Sequence, residues 1–381
     1  MKQATPSSRV VFVGGGTGGH LFPAIAIADR VRDITKDRAD VDIAFVGTRH
    51  GLEYRIQETL GYPLHLINIR GLARSFTLKN LLAPFIVAGA LVQASRLLQR
   101  LSPALVVGTG GYVSWPVVRV AALKRIAILL QEQNSYPGIA TRALARYARR
   151  IYLGFDCART HLKTSAEIVV SGNPVRSSIV RGDRAEAIKE LGLHPDKKTI
   201  LVLGGSQGAR AVNNAVSRSL EQAPLPDNYQ LLWQTGKRGY TDVAAQAGRK
   251  AWRCTLFPFA ERMDLVYAAA DIAVARAGAL TLAELMACGI PSILIPYPHA
   301  AGDHQRRNAQ DLIERNMAIV IEETQLAGTN LLMKAVELHR SDRFRQMKQA
   351  LRTWSVERQP AADIIAEDIV NIVEEVRKGG Q

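Results

Sequence analysis

Short apolar runs alternate with longer amphipathic stretches along most of the chain, and the runs are rich in valine, isoleucine and leucine. Such runs predict β-strands, and the stretches with apolar residues three and four positions apart predict helices. The predicted strands lie at residues 10–13, 41–46, 104–108, 126–131, 167–170, 200–204, 230–234, 272–275 and 292–295. The predicted helices include residues 23–32, 78–101, 209–222 and 302–315. Nearly continuous apolar strands that alternate with helices indicate an α/β protein whose parallel sheets are covered on both faces.

The pattern starts again near the middle of the chain. The runs VVFVGG at residues 10–15 and ILVLGG at residues 200–205 are each a predicted strand that leads into a glycine-rich turn and a helix. The repeat predicts two doubly wound domains that face each other, and the segment 171–176 (SGNPVR) has the composition of a linker between them. We place the two domains at residues 1–175 and 176–357. Residues 358–381 are predicted to be a helix that packs back on the first domain.

Composition and charge narrow the class of partner. The 381 residues include 49 Lys or Arg and 34 Asp or Glu, so the formal net charge at pH 7 is +15. This charge favours an acidic partner, such as a nucleic acid, an anionic membrane or a phosphorylated substrate. Cys157, Cys254 and Cys288 are too far apart for a zinc knuckle and fit a reducing compartment. The start of the chain has no apolar signal segment, and the longest apolar stretch, residues 81–92, is too short to span a bilayer.

Three glycine-rich turns each follow a predicted strand and precede a helix. They are the first glycine loop at residues 14–20 (GGGTGGH), the second at 108–112 (GTGGY) and the third at 204–209 (GGSQGA). The first loop fits the G-x-G-x-x-G pattern of dinucleotide-binding proteins, but the next predicted strand ends in Gly47, Thr48 and Arg49, without the carboxylate that holds an NAD ribose. Arg49 suits a 2′-phosphate, so an NADP-dependent oxidoreductase remains an alternative. Three loops in two half-chains favour a cleft lined by helix N-termini, which bind phosphate groups.

Six motifs in a fixed order carry a resemblance to a known family. They are the three glycine loops and the segments EQN, SGNPVR and RAGALTLAE at residues 132–134, 171–176 and 276–284. From about residue 10 to beyond residue 308 the chain resembles glycosyltransferase family 28, and within it the undecaprenyldiphospho-muramoylpentapeptide β-N-acetylglucosaminyltransferases of bacteria, which convert lipid I to lipid II. A diacylglycerol glycosyltransferase of the same fold remains a second alternative.

The resemblance implies a fold and a reaction. The expected fold is GT-B: two Rossmann-like parallel-sheet domains facing a cleft. The expected reaction is an inverting transfer of N-acetylglucosamine from UDP-N-acetylglucosamine to the 4-hydroxyl of the muramoyl sugar of lipid I, with no cofactor. His299, Asp303 and His304 match no common zinc spacing, and no metal is expected.

The second half of the chain offers a group for each part of the nucleotide sugar. Gly278 precedes a predicted helix whose first N–H groups suit the α-phosphate. Glu284 lies one turn after Thr281 on that helix, where a carboxylate can accept hydrogen bonds from the ribose hydroxyls. By resemblance, the backbone at Ala260 faces the uracil. The expected donor contacts are Thr17, Gly18, Gly19, Asn134, Arg176, Ser206, Gln207, Ala260, Ala279, Leu280, Thr281, Leu282, Ala283, Glu284 and Gln305.

The loops of the first half supply the expected acceptor site and the candidate base. His20 ends the first glycine loop at a helix N-terminus, and the positive end of the helix dipole favours a neutral imidazole that can take a proton. A purely structural role for His20 is the alternative. The expected acceptor contacts are Gly16, His20, Gly110, Gly111, Tyr112 and Asn134.

A basic and apolar window predicts contact with a membrane surface. No Asp or Glu occurs from residue 59 to residue 131, whereas Lys and Arg recur throughout this window. An apolar patch ringed by cations is typical of an anchor on anionic lipid, and the alternative is a core-facing helix with basic ends. The expected anchor residues are Arg74, Phe76, Leu78, Lys79, Leu82 and Phe85.

These observations define the expected partners and location. They are UDP-N-acetylglucosamine, lipid I, the anionic surface of the cytoplasmic membrane, and proteins of cell-wall synthesis and division. Nucleic acid is not expected, because no nucleic-acid-binding motif accompanies the positive charge. The expected location is the cytoplasmic side of the cell (inner) membrane, as a peripheral protein.

Overall fold

The computed structural model describes residues 8–36, 41–71, 83–205 and 208–379. The chain divides into two compact units. Unit 1 contains Met1–Arg176 and Gln359–Gln381, and unit 2 contains Ser177–Arg358. Unit 1 is therefore built from two stretches of chain, with the whole of unit 2 between them in sequence.

In each unit the described residues form one parallel sheet. The strands of unit 1 are β1 (Ser8–Gly14), β2 (Val41–Gly47), β3 (Leu64–Leu66), β4 (Leu105–Gly110), β5 (Ala127–Glu132), β6 (Arg150–Leu153) and β7 (Glu167–Val169), in the order β3-β2-β1-β4-β5-β6-β7. The strands of unit 2 are β8 (Lys198–Leu203), β9 (Tyr229–Gln234), β10 (Cys254–Phe257), β11 (Ile272–Ala275), β12 (Ser292–Leu294) and β13 (Ala318–Val320), in the order β10-β9-β8-β11-β12-β13. The strand order reverses between β1 and β4 in unit 1 and between β8 and β11 in unit 2. Ligands of open α/β sheets bind at such reversals.

Helices connect the strands on both faces of the sheets. The helices are α1 (Gly18–Thr35), α2 (Leu52–Arg55), α3 (Ala83–Leu101), α4 (Ser114–Leu123), α5 (Ile139–Leu144), α6 (Ser177–Val180), α7 (Arg184–Glu190), α8 (Arg210–Gln222), α9 (Tyr240–Lys250), α10 (Met263–Ala269), α11 (Ala279–Ala287), α12 (His304–Glu314), α13 (Leu331–Arg340), α14 (Asp342–Glu357) and α15 (Ala361–Gly379). Short 3₁₀ turns lie at Ala145–Tyr147, Asp156–His161, Ala301–Asp303 and Glu323–Gly328.

The strand β1 shows why the sheet of unit 1 needs helices on both sides. Successive side chains of a strand point to opposite faces. Val11 and Val13 pack into the core that contains α3 and α4, whereas Val10 and Phe12 pack into the core that contains α1 and α15. All four side chains are fully buried. A strand with both faces in apolar cores reads as a continuous apolar run, as the sequence pattern indicated.

The helix α15 completes the second of these cores. It packs along α1 and buries Ile365, Ile369 and Val373 there. Polar contacts fix its register, because the Asp368 carboxylate accepts a hydrogen bond from the Tyr152 hydroxyl at 2.6 Å and pairs with Arg150.

The predicted elements correspond closely to the observed ones, and the main differences are four short strands and the starts of two helices. The sequence pattern missed β3, β6, β10 and β13, which have only three or four residues each. The helix predicted over residues 78–101 is observed from Ala83, and residues 78–82 lie outside the described part of the chain. The helix predicted from residue 23 begins earlier, at Gly18, so Pro23 lies in its second turn.

We expect Ile369→Ala to destabilise unit 1 by about 2–5 kcal/mol, because it leaves a cavity where a fully buried side chain joins α15 to α1. Urea denaturation measures the loss in the free energy of unfolding, and hydrogen exchange of the β1 segment shows that the loss lies in unit 1. Asn371→Ala on the exposed face of the same helix is the matched control and should change stability by less than about 0.5 kcal/mol. Equal stability of the two variants would contradict the docking of α15.

Candidate active site

The predicted acceptor residues of unit 1 meet where the strand order reverses. The first glycine loop follows β1, and the second forms the end of β4 and the turn into α4. The strand β5 ends at Glu132, and residues 133 and 134 follow it directly. Because β1, β4 and β5 are neighbours and parallel, their carboxyl ends meet at one edge of the sheet. The residues brought together here are Gly16, Thr17, Gly18, Gly19, His20, Gly110, Gly111, Tyr112 and Asn134.

The first two glycine loops touch through positions that have no room for a side chain. A Cβ atom on Gly111 would lie 2.5 Å from the backbone oxygen of Gly15, and one on Gly110 would lie 2.7 Å from the Nδ1 atom of His20. Gly110 and Gly111 also have φ angles of +102° and +81°, a conformation that L side chains rarely adopt. Glycine at these two positions therefore lets the second loop close against His20.

Hydrogen bonds to one ring nitrogen define the tautomer of His20. Its Nδ1 atom lies 3.1 Å from the backbone oxygen of Thr109 and 2.9 Å from Oε1 of Gln133. The Gln133 amide is oriented by its Nε2 atom, which donates to the same Thr109 oxygen at 2.8 Å. A carbonyl oxygen can only accept, so Nδ1 carries the hydrogen. In the neutral ring the lone pair is then on Nε2, as a general base requires.

The carboxylate of Glu132 organises the loop that carries Asn134. Glu132 is 2% exposed, and its oxygens accept hydrogen bonds from the backbone N–H groups of Asn134 at 3.1 Å and of Gly138 at 3.0 Å. The Asn134 side chain also donates to it at 3.3 Å. Because these contacts use the carboxylate within the protein, Glu132 holds the loop, and we assign it no proton-transfer role.

Arg176 lies at the end of the first stretch of unit 1. Its guanidinium carbon lies 4.1 Å from the centre of the Phe22 ring on α1, a cation–π contact that fixes the side chain near the first turn of α1. The expected donor contacts Thr17, Gly18 and Gly19 lie at the start of the same helix. Arg176 therefore belongs, with these three residues, to the part of unit 1 around the N-terminus of α1.

The expected phosphate site of unit 2 lies at the second strand-order reversal. The helix α11 begins at Ala279, directly after β11 and Gly278, and its first turn contains Ala279, Leu280 and Thr281. No side-chain cap occupies its N-terminus, so the N–H groups of the first turn point outward from the helix end. Among the remaining expected contacts, Leu282 and Ala283 are buried parts of this helix.

The Tyr267 hydroxyl orients the buried side chain of Glu284 in unit 2. Glu284 is 6% exposed, and its Oε2 atom accepts a hydrogen bond from the Tyr267 hydroxyl at 2.8 Å. Burial raises the pKa of the nearby Cys288 thiol to about 12, and the Glu284 charge adds to this rise. The sequence pattern missed Tyr267, because an aromatic residue among apolar neighbours in α10 reads as ordinary core.

Polar side chains stabilise the loops on either side of α11. Arg276 pairs with Glu323 and donates to the backbone oxygens of Ile295 and Pro296, both at 3.2 Å. The fully buried Asn308 donates to the backbone oxygen of Ala277 at 3.2 Å. These contacts join the ends of β11 and β12 to the turn before α11.

Two more predicted donor residues make hydrogen bonds within unit 2. The Gln305 Oε1 atom accepts a hydrogen bond from the Tyr297 backbone N–H at 3.0 Å, and the Ala260 N–H donates to the Gln234 side chain at 3.2 Å. Ser206 and Gln207 of the third glycine loop lie outside the described residues.

The expected membrane anchor is described only at its end. Arg74, Phe76, Leu78, Lys79 and Leu82 lie outside the described residues. Phe85 is 76% exposed, and Ile86 and Val92 on the same helix α3 are also exposed. Phe85, Ile86 and Val92, here called the anchor face, are followed by exposed Arg96 and Arg100. In the described ranges, no helix combines the length and apolarity needed to cross a bilayer.

Sequence comparisons identify relatives over nearly the whole chain. Residues 10–153 match the glycosyltransferase family 28 N-terminal domain, and residues 199–367 match the C-terminal domain of the same family. A relative from Salinibacter ruber is 40% identical over 374 residues, which are 98% of this chain and 99% of the relative. One from Halothermothrix orenii is 37% identical over 381 residues, 97% of this chain and all of the relative. Both are named UDP-N-acetylglucosamine–N-acetylmuramyl-(pentapeptide) pyrophosphoryl-undecaprenol N-acetylglucosamine transferase.

Structural comparisons agree with the sequence. The crystal structure of Acinetobacter baumannii MurG is 26% identical, with a TM-score of 0.69 and coverage of 97% of this chain and 99% of that one. A glycosyltransferase of kitacinnamycin is 14% identical with a TM-score of 0.68 and coverage of 97% and 100%, a likeness that shows the fold alone.

Proposed function

The chain belongs to glycosyltransferase family 28, and we propose that unit 1 binds and activates the acceptor while unit 2 binds the nucleotide sugar. It is a UDP-N-acetylglucosamine-dependent N-acetylglucosamine transferase that acts on N-acetylmuramyl-(pentapeptide) pyrophosphoryl-undecaprenol, the conversion of lipid I to lipid II. The predicted GT-B fold, with its two parallel-sheet domains, is confirmed. The NADP-dependent oxidoreductase and the diacylglycerol glycosyltransferase are therefore set aside.

His20 is the general base of the proposed mechanism, and the contacts of its Nδ1 atom carry this proposal. The 4-hydroxyl of the muramoyl sugar loses its proton to Nε2 as its oxygen attacks the anomeric carbon of N-acetylglucosamine. The bond from that carbon to the UDP oxygen breaks, and UDP leaves with the electron pair. A single displacement of this kind inverts the configuration at the anomeric carbon. Thr109 and Gln133 hold the hydrogen on Nδ1, so the ring presents its lone pair before the substrate binds.

The nucleotide is held by unit 2 in this proposal. The N–H groups at the start of α11 bind the α-phosphate, and Glu284 accepts hydrogen bonds from the ribose hydroxyls. The same helix N-terminus stabilises the negative charge that grows on the leaving diphosphate. Tyr267 restrains the Glu284 carboxylate in the orientation that this contact needs. Arg176 belongs to unit 1, and its proposed role is to add a fixed positive charge for the diphosphate.

The membrane surface is the proposed location of the enzyme, because its lipid acceptor is anchored there. The strands β3 and β4 are parallel members of one sheet, so α3 runs back between them and begins at the edge that carries His20. The exposed anchor face lies in the first turns of α3. It can therefore enter the lipid headgroup region while the first glycine loop faces the same side of unit 1.

Incubation of the protein with UDP-N-acetylglucosamine and lipid I tests the proposed function. Release of UDP together with formation of lipid II is the expected result, and it should persist in EDTA because the helix N-terminus and Arg176 stabilise the leaving group. Loss of turnover on chelation, restored by magnesium or manganese, would contradict this account of the leaving group.

We expect Glu284→Ala to weaken UDP binding at least about tenfold, because hydrogen bonds to a charged group contribute roughly 1.5–3 kcal/mol. Calorimetric titration with UDP measures the change. Glu337→Ala removes an exposed carboxylate from another helix of unit 2 and is the matched control. Unchanged UDP affinity in a folded Glu284→Ala variant would remove Glu284 from the donor site.

We expect His20→Ala to lower kcat by about 10²–10⁴-fold with little change in UDP affinity, since general-base catalysis typically contributes this factor. Steady-state turnover with lipid I and calorimetry with UDP separate the two effects. His50→Ala, an exposed histidine of the same unit, is the control. Near-normal turnover of the His20 variant would support the structural alternative for this residue.

We expect the double variant Phe85→Ser and Val92→Ser to bind anionic vesicles at least about fivefold more weakly, because two exposed apolar side chains no longer insert. Vesicle co-sedimentation measures the binding. Val356→Ser, which alters an 85% exposed apolar residue of unit 2, should bind like the unaltered protein. If the double variant also sediments normally, the anchor face does not contact lipid.

A further inference from the structure

A buried carboxylate lies beneath the first glycine loop. Glu53, on the short helix α2, is 1% exposed. Its Oε2 atom accepts a hydrogen bond from the Gly16 backbone N–H at 2.9 Å, and its Oε1 atom accepts one from the Thr48 N–H at 2.9 Å. The Thr48 hydroxyl is a third donor, at 3.4 Å. A carboxylate this deeply buried is rare unless donors compensate the loss of water, and here backbone groups do so.

The chain leaves space for this carboxylate at three separate glycines. A Cβ atom on Gly15 would lie 2.6 Å from the Glu53 carboxyl carbon, one on Gly47 would lie 2.3 Å from its Cγ atom, and one on Gly51 would lie 2.0 Å from Oε1. These residues come from the loop after β1, the end of β2 and the turn before α2. The Glu53 side chain therefore fills a pocket that exists because each of these three segments has a glycine there.

The contacts of Glu53 reach the proposed base and the acceptor residues. Gly16 has a φ angle of +89° and lies in the loop that turns the chain toward His20. The Thr48 hydroxyl, which contacts Glu53, is also 3.2 Å from the Tyr112 hydroxyl. On the other side of the loop, the Thr109 hydroxyl donates to the His20 backbone oxygen at 2.7 Å. The loop is thus held from below by Glu53 and from the side by β4.

Glycine loops between a strand and a helix ordinarily direct such N–H groups at a bound phosphate. In this loop the Gly16 N–H already binds an anion that belongs to the protein, and the charge of Glu53 disfavours a second anion beside it. We propose that the Glu53 carboxylate takes the place of a bound phosphate in the first glycine loop. Glu53 is thus a positioning residue: it fixes the loop and thereby the orientation of His20. This inference rests on the proposed function for the role of His20. It places the diphosphate of the acceptor elsewhere than at the Gly16 amide.

Glu53→Gln tests the proposal with little change in volume. An amide cannot accept from both backbone N–H groups without turning an NH₂ group toward one of them, so the loop loses a buried hydrogen bond. We expect amide hydrogen exchange in residues 10–21 to become at least about tenfold faster and kcat with lipid I to fall at least about tenfold. UDP affinity should not change, because the N-terminus of α11 and Glu284, which bind the nucleotide in the proposed function, are in unit 2. Glu58→Gln, an exposed carboxylate in the same segment, is the matched control.

Glu53→Ala gives a second test, which distinguishes an anionic role of Glu53 from a packing role. The variant leaves a carboxylate-sized space, and we expect formate to restore part of the turnover and the slow exchange of residues 10–21. Chloride at the same ionic strength should restore neither. Equal effects of formate and chloride would overturn the proposal, as would unchanged exchange and turnover in Glu53→Gln.

The exchange measurement needs no substrate, and it therefore separates this inference from the proposed function. A loosened loop in Glu53→Gln supports the role of Glu53 even if turnover of His20→Ala shows that another group is the base. A loop that stays rigid in Glu53→Gln overturns the inference even if His20 is the base.

Discussion

Both sites depend on one constraint: the strands of each sheet run parallel, so every strand-to-helix turn emerges at the same edge. Where the strand order reverses, the connections on either side lead away from each other and leave the turns between them uncovered. In unit 1 this point lies between β1 and β4, and in unit 2 between β8 and β11. The first two glycine loops and the N-terminus of α11 lie at these points. The repeated topology thus gives each unit a candidate site of its own.

Buried carboxylates also hold loops at these edges. Glu53 and Glu132 accept hydrogen bonds from backbone N–H groups, so each fixes the path of a loop. Glu284 accepts a hydrogen bond from the Tyr267 hydroxyl, which orients one of its oxygens. A buried carboxylate can therefore have a purely structural role, and burial by itself does not identify a residue that meets substrate.

The sequence predicted what depends on local pattern and missed what depends on long-range contact. The strands with both faces in a core, such as β1, were predicted because they are apolar at nearly every position. The four-residue strand β6 was missed, and it begins with Arg150, whose partner Asp368 lies more than 200 residues away in sequence. His20 was predicted from its loop, but its orienting partner Gln133 lies 113 residues away in sequence. Glu53 escaped notice for the same reason, since only the fold brings α2 beneath the first glycine loop.

The division of unit 1 into two stretches has a consequence for synthesis on the ribosome. Unit 2 is a single uninterrupted stretch and can begin to fold as it emerges. The core between α1 and the sheet of unit 1 stays open until α15 has been made, after all of unit 2. At roughly 5–20 residues per second, that interval is on the order of ten to forty seconds. During it, apolar side chains such as Leu21, Ile25 and Phe12 lack their final cover. The nascent first unit therefore exposes apolar surface until the last helix of the chain has been made.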